Sequence, residues 1–185
     1  MCCKTFINRF DRPAIIKNIN LIANYNPVSG AITGPVGALP IQTPVAPNGK
    51  NMVTANTLTG TILVTNTQTD TVVAMLGCDP GCHGVQYGAK KGGGYYAFVS
   101  SKFSNRLLVV DPDLNGDDDP SDAMIVGSVG LFASGSTLRD ATITGNRGMG
   151  GQGILPIPVV YNGWVQNLPA SWKNKLTPAQ QNPVP

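Results

Sequence analysis

Six of the ten acidic residues in this chain fall within twelve consecutive positions, and this is where its side chains could most readily do chemistry. The run Asp111-Pro-Asp113-Leu-Asn115-Gly116-Asp117-Asp118-Asp119-Pro-Ser-Asp122 matches the twelve-residue calcium loop at positions 1, 3, 5, 6, 9 and 12. Calcium is a hard cation that takes six to eight oxygens, and alternate carboxylates around a glycine turn can bring them to one point. The expectation is that Asp111, Asp113, Asn115, Asp119 and Asp122 bind one calcium ion through side chains and Asp117 through its backbone carbonyl. Asp122 stands where a bidentate Glu is usual, so its reach is shorter and the site should be weak. The alternative is a solvated polar turn between two strands.

The second constellation is Cys78-Asp-Pro-Gly-Cys82-His83. It has one residue more than the Cys-x-x-Cys-His haem-attachment spacing. Asp-Pro-Gly is a turn sequence that folds Cys78 back towards Cys82, which favours a disulfide between them. Unpaired thiols, and a copper or haem centre at Cys82 and His83, are the competing readings. His83 is the only histidine, so the chain alone cannot supply a multi-histidine zinc or copper site. No catalytic set emerges: Ser and Asp are plentiful, but no nucleophile elbow accompanies them. Gly148 to Gly153 would need a strand before it and a helix after it to act as a dinucleotide loop, and Ile154-Leu-Pro-Ile-Pro cannot continue as a helix. Trp164 and Trp172 read as packing residues, and the adjacent Cys2 and Cys3 cannot easily bond to each other.

The elements that position these residues read as strands. Charged residues make up 12% of the 185, glycine and proline are frequent at 22 and 15, and Glu is absent. Glu is a staple of exposed helices, whereas Val, Thr and Ile between turn residues favour sheet. The net charge is +3, but the basic residues are scattered and form no phosphate-tracking stripe, so nucleic-acid binding is excluded. No apolar run of about 18 residues exists, so no membrane span is expected. Met1 to Pro27 lacks a signal-peptide core, its longest apolar stretch being Ala14-Ile15-Ile16. An export signal would then have to lie upstream, and the competing assignment is a soluble cytoplasmic protein.

An internal repeat organises the middle of the chain. Met52-Val-Thr-Ala-Asn56 followed by Gly60-Thr-Ile-Leu-Val-Thr-Asn66 aligns with Ala97-Phe-Val-Ser-Ser101 followed by Asn105-Arg-Leu-Leu-Val-Val-Asp111 at a constant offset of 45 residues. Strands are expected near 51–56, 61–66, 71–76, 95–101, 106–111 and 123–129, all antiparallel. A turn-rich lead-in precedes each copy, Pro44 to Lys50 in the first and Gly84 to Gly88 in the second. A four-stranded unit of about this length is a β-propeller blade, and the fold class expected is all-β. The competing architecture is a β-sandwich. At this repeat length the chain holds four blades at most. Residues 1–36 are expected to be irregular, 37–130 to form two blades, 131–168 a further incomplete blade and 169–185 a polar tail.

These strings, together with Thr69-Asp-Thr-Val-Val-Ala74, resemble the YVTN family of β-propeller repeats, with Met52 where that motif has Tyr and Ala55 inserted between Thr54 and Asn56. The resemblance spans about residues 37–130. It implies an extracellular, cell-surface or periplasmic protein with a structural or binding role, completed by other blades or chains of a larger propeller. The alternative it leaves open is the C-terminal part of a propeller redox enzyme. In such enzymes, histidines at the channel mouth hold haem or copper, and His83 beside Cys82 occupies a comparable place.

Overall fold

The computed structural model describes residues 2–7, 13–79, 81–104, 106–131, 151–156 and 169–178. Among these residues the structure is antiparallel β-sheet with almost no helix. The strands are β1 (Cys2–Ile7), β2 (Pro13–Ile19), β3 (Asn51–Asn56), β4 (Thr61–Asn66), β5 (Thr71–Gly77), β6 (Cys82–Ala89), β7 (Tyr95–Ser101), β8 (Arg106–Asp111) and β9 (Met124–Gly130). A short 3₁₀ turn, Pro120–Asp122, precedes β9, and one helical turn, α1, covers Ala170–Lys173. The sheets are β1-β2, β3-β4-β5 and β6-β7-β8-β9, each in simple up-and-down order.

The six expected strands fall where the repeat puts them, with β5 one residue longer and β9 shifted by one. Two departures have clear causes. Gly84 to Gly88, expected as a turn, lies inside the eight-residue strand β6. Glycine at 84 and 88 leaves room for residues 151–156, because a Cβ there would lie 2.6 Å from the Gln152 carbonyl oxygen and 3.1 Å from Pro156. Residues 1–36, expected to be irregular, contain the β1-β2 hairpin, which shares no pattern with the repeat. The further blade expected over 131–168 lies mostly outside the described residues.

The first repeat also has a fourth, irregular line of chain. Ile41 N donates to Ala55 O (3.1 Å), Ala55 N to Gln42 O (3.2 Å), Val53 N to Pro44 O (3.3 Å) and Ala46 N to Asn51 O (2.8 Å). Pro40 and Pro44 have no N–H to give, so the line stays an edge and not a regular strand. It takes the place of β6 at an offset of 42, three residues short of the repeat, since Val45 lies opposite Met52 as Tyr87 lies opposite Ala97. The pairing of the third and fourth strands keeps the full offset. The register slips between Val64 and Thr65 in the first sheet and between Val109 and Val110 in the second, 45 residues apart. The repeat is therefore structural, down to the position of a β-bulge.

The sheets pack face to face around one core. Val53, Ala55, Ile62 and Val64 of the first sheet are fully buried against Val85, Tyr87, Ala97, Val99, Leu108 and Val110 of the second. Each such aliphatic side chain contributes about 1.5–3 kcal/mol on burial. Alternate residues of a strand point to opposite faces. By the repeat, Val53 and Ile62 correspond to Phe98 and Leu107, which lie on the second sheet's other face. The two sheets therefore stack in the same sense, front of one against back of the next. The first sheet's outer face is covered by Leu21, which packs on Leu63 with Ile19, Met52 and Val72 around them.

Candidate functional site

The acidic loop leaves β8 at Asp111 and reaches β9 through the 3₁₀ turn. Its first residue corresponds to Asn66, and both use a side-chain oxygen to start the turn after their strand. Asn66 Oδ1 accepts from Gln68 N at 2.9 Å and Thr69 N at 3.2 Å, and Asp111 Oδ1 accepts from Asp113 N at 3.4 Å. Beyond that point the second repeat carries extra chain, and its carboxylates fold it. Asp113 accepts from Gly116 N (2.9 Å) and Asp118 N (3.1 Å), and Asn115 Oδ1 accepts from Asp117 N (2.9 Å). Asp117 accepts from Asp119 N (2.8 Å), Asp119 from Ser121 N (3.1 Å), and Asp122 from Leu114 N (3.1 Å) and Asn115 N (3.0 Å). Gly116 (φ 79°) and Asp118 (φ 69°) take the left-handed turns, and a left-handed conformation is tolerated by Asp better than by most residues.

Two lysines face this charge. Asp111 is buried, and its Oδ2 accepts from Lys90 Nζ, which also lies 5.4 Å from the centre of the Tyr96 ring. The bond to Asp111 raises the Lys90 pKa above its ordinary value, so the ammonium stays charged. Lys50, from the first sheet's turn, reaches Asp118 at 3.5 Å. Neither lysine stood out in the sequence. Lys90 reads there as part of a Lys-Lys-Gly-Gly-Gly insertion, and only the return of β8 beside it reveals a partner.

Of the six expected calcium ligands, Asp111 is engaged by Lys90, while Asn115, Asp117 and Asp119 are exposed and Asp113 and Asp122 half-buried. Among the described residues, no three His, Cys, Asp or Glu side chains gather as a metal-holding group. The donor chemistry still suits a hard cation. Every side chain of the set offers oxygen, and a carboxylate that accepts one or two N–H bonds keeps lone pairs to spare.

Cys78 directly follows β5, the first sheet's outer strand, and Cys82 begins the second sheet's first strand. They stand at disulfide distance, with Cα atoms 6.2 Å apart and the Cys82 side chain fully buried. The turn between them is held by Asp79, which accepts from Ser104 Oγ at 2.8 Å and pairs with Arg106 Nε at 3.2 Å. Gly81 is required there, since its φ is 83° and a Cβ would lie 2.5 Å from the Phe103 ring. His83 Nδ1 lies 2.8 Å from the Gln152 carbonyl oxygen. Cys82 and His83 thus meet different partners, a sulfur on one side and a backbone carbonyl on the other.

A polar contact joins the two sheets above the core. Tyr87 Oη donates to Asn51 Oδ1 at 2.6 Å, both residues being buried. Burial pushes the Tyr87 pKa well above the usual phenol range, which keeps the hydroxyl a donor. No helix among the described residues is long and apolar enough to cross a membrane. No protein-family model matches the chain, and a search of curated proteins finds no relative.

Proposed function

We propose that the chain is a structural and binding module of the propeller kind, working in an extracellular, cell-surface or periplasmic setting, in which each sheet seats the next. The observation that carries this reading is the same-sense stacking of two units 45 residues apart. A front-to-back contact is heterologous, so the series continues until something covers its last face. That last face belongs to the second sheet. Its Phe98, Leu107 and Val109 correspond to the fully buried Val53, Ile62 and Val64, yet they remain partly exposed, and Val129 beside Leu107 is 52% exposed. Residues 151–156 lie along β6 and leave a groove between Phe98, Leu107 and Leu155. A further sheet, from a larger propeller or another chain, fits this place.

In the same proposal calcium holds the acidic loop. The Asp113, Asn115, Asp119 and Asp122 side chains and the Asp117 carbonyl would hold the ion, with Asp111 and its Lys90 partner at the edge. Calcium would supply charge neutralisation and no reaction. The Cys78–Cys82 pair suits an oxidising compartment.

Sedimentation velocity over a range of concentrations tests the seating face. The wild-type chain is expected to associate, and Leu107→Arg to abolish association without loss of β-sheet signal. A wild-type chain that stays monomeric at every concentration would overturn the proposal.

A further inference from the structure

Between β2 and the irregular edge line of the first sheet, residues 20–39 run as a strap across that sheet's back. Leu21 and Val36 are its buried anchors, joined where Gly37 N donates to Leu21 O at 2.7 Å. The sheet holds Val36 through two side chains. Thr61 Oγ1 donates to Val36 O at 2.8 Å, and Val36 N donates to the Met75 thioether, a weak acceptor, at 3.4 Å.

Three polar atoms under this strap carry the inference. Thr54 Oγ1, Asn56 Oδ1 and Thr65 Oγ1 have no hydrogen-bond partner among the described residues, in side chains that are almost wholly buried. The register puts all three on one face. Thr54 lies opposite Leu63, Thr65 opposite Met52 and Asn56 opposite Thr61, and this is the back that Leu21 covers. Asn56 uses its amide donors on Thr54 O and Thr61 O, and its oxygen lies against Gly37, where a Cβ would come within 2.5 Å. A buried polar group without a partner is costly, and the strap satisfies none of the three. At the repeat offset, Thr54 and Thr65 correspond to Val99 and Val110, which the first sheet buries completely. Valine suits a face that stays dry, whereas threonine suits one that meets water part of the time. The strap is also strained at its end. Leu39 has φ 57°, a left-handed conformation that a bulky side chain rarely adopts, and it is half exposed, so little burial offsets the strain.

The two repeat sheets present two fronts and two backs. One front and one back meet in the core, which leaves the second sheet's front and the first sheet's back. In same-sense stacking these two faces are the matching pair. Gln86 and Tyr96 flank Phe98 on that front, so it brings an amide and a hydroxyl to a back whose own polar groups lack partners.

We propose that the strap is an autoinhibitory cover, which lifts from the first sheet's back to admit the second sheet's front of another copy and so joins copies head to tail. This rests on the seating face proposed above and names what that face seats on. The closed strap lowers the apparent affinity by the fraction of chains in which it is open.

Sedimentation of a fluorescent Leu107→Arg chain in excess wild-type protein tests this. That tracer lacks a working front but keeps its back, so it is expected to sediment with the wild-type chain. Amide exchange at Gly37 of isotope-labelled tracer is expected to be faster in the mixture than alone. Leu21→Ala, added to the tracer, loosens the strap and is expected to tighten capture about tenfold. Thr61→Val, which removes the bond to Val36, should act in the same direction and keeps the test decisive if Leu21→Ala fails to fold. A tracer that stays monomeric while wild-type chains associate would overturn the strap's role and leave the seating face standing. Unchanged Gly37 exchange in captured tracer, or unchanged capture of the folded strap variants, would do the same. Wild-type chains that never associate would overturn both.

Discussion

Lys90 is the residue on which the acidic loop most depends. Its ammonium is the partner of a buried carboxylate, and removing one member of such a pair leaves the other uncompensated. Lys90→Met is expected to destabilise the fold by about 3 kcal/mol at neutral pH. The pH dependence follows from the raised pKa of Lys90. A raised folded-state pKa contributes stability that is fully present below the unfolded value, about 10.4, and lost as pH rises through the higher folded value. Tyr87 acts in the same direction, because its buried hydroxyl resists ionisation until unfolding exposes it to its ordinary value of about 10. Wild-type stability should therefore decline above about pH 10, and the difference from Lys90→Met should shrink there. Denaturant unfolding at neutral pH and near pH 11 checks this, and an equal difference at both would contradict it. None of this was legible in the sequence, where Lys90 looks like one of two lysines before a glycine run.

At the level of elements, the connection into the second sheet and the acidic loop within it are open to separate tests. Cys78 and Cys82 join an outer strand of one sheet to the first strand of the next. A bond closing so short a loop should contribute only about 2 kcal/mol through the unfolded state. Intact-mass measurement before and after reduction should show one disulfide, and reduction should lower stability by about that amount. Two alkylatable thiols at 78 and 82 in untreated protein would refute the pairing. For the acidic loop, calorimetric titration of chelator-treated protein is expected to show calcium binding with a Kd of roughly 10⁻⁴–10⁻³ M. Calcium at a hundred times that Kd should then stabilise the fold by about 2.7 kcal/mol. No heat and an unchanged Tm would leave the solvated turn. The strands of the repeat could be read in advance because Val, Ile and Leu alternate between strong turn residues. β6 could not, because Gly84 and Gly88 answer to a close approach from chain more than 60 residues away. The composition of the acidic loop was equally plain, but not the direction of its carboxylates, which depends on backbone N–H groups placed by Gly116 and Asp118.

For the whole molecule, the repeat predicts two similar sheets and leaves their stacking sense open, since a two-residue period says which side chains share a face and not which face meets which neighbour. The structure supplies the missing term: the first sheet's front is closed by the second sheet, while among the described residues the second sheet's own front is left to a groove. This asymmetry between equivalent positions is the centre of the account. It is tested most directly by the unfolding free energies of Ile62→Ala and Leu107→Ala, substitutions 45 residues apart in the same place of the same repeat. Ile62 is fully buried between the sheets, so its truncation should cost about 3 kcal/mol. Leu107 lines the open face, and its truncation in the dilute monomer should cost about 1 kcal/mol or less. Equal losses at the two positions, or a larger loss at Leu107, would contradict same-sense stacking with an open last face.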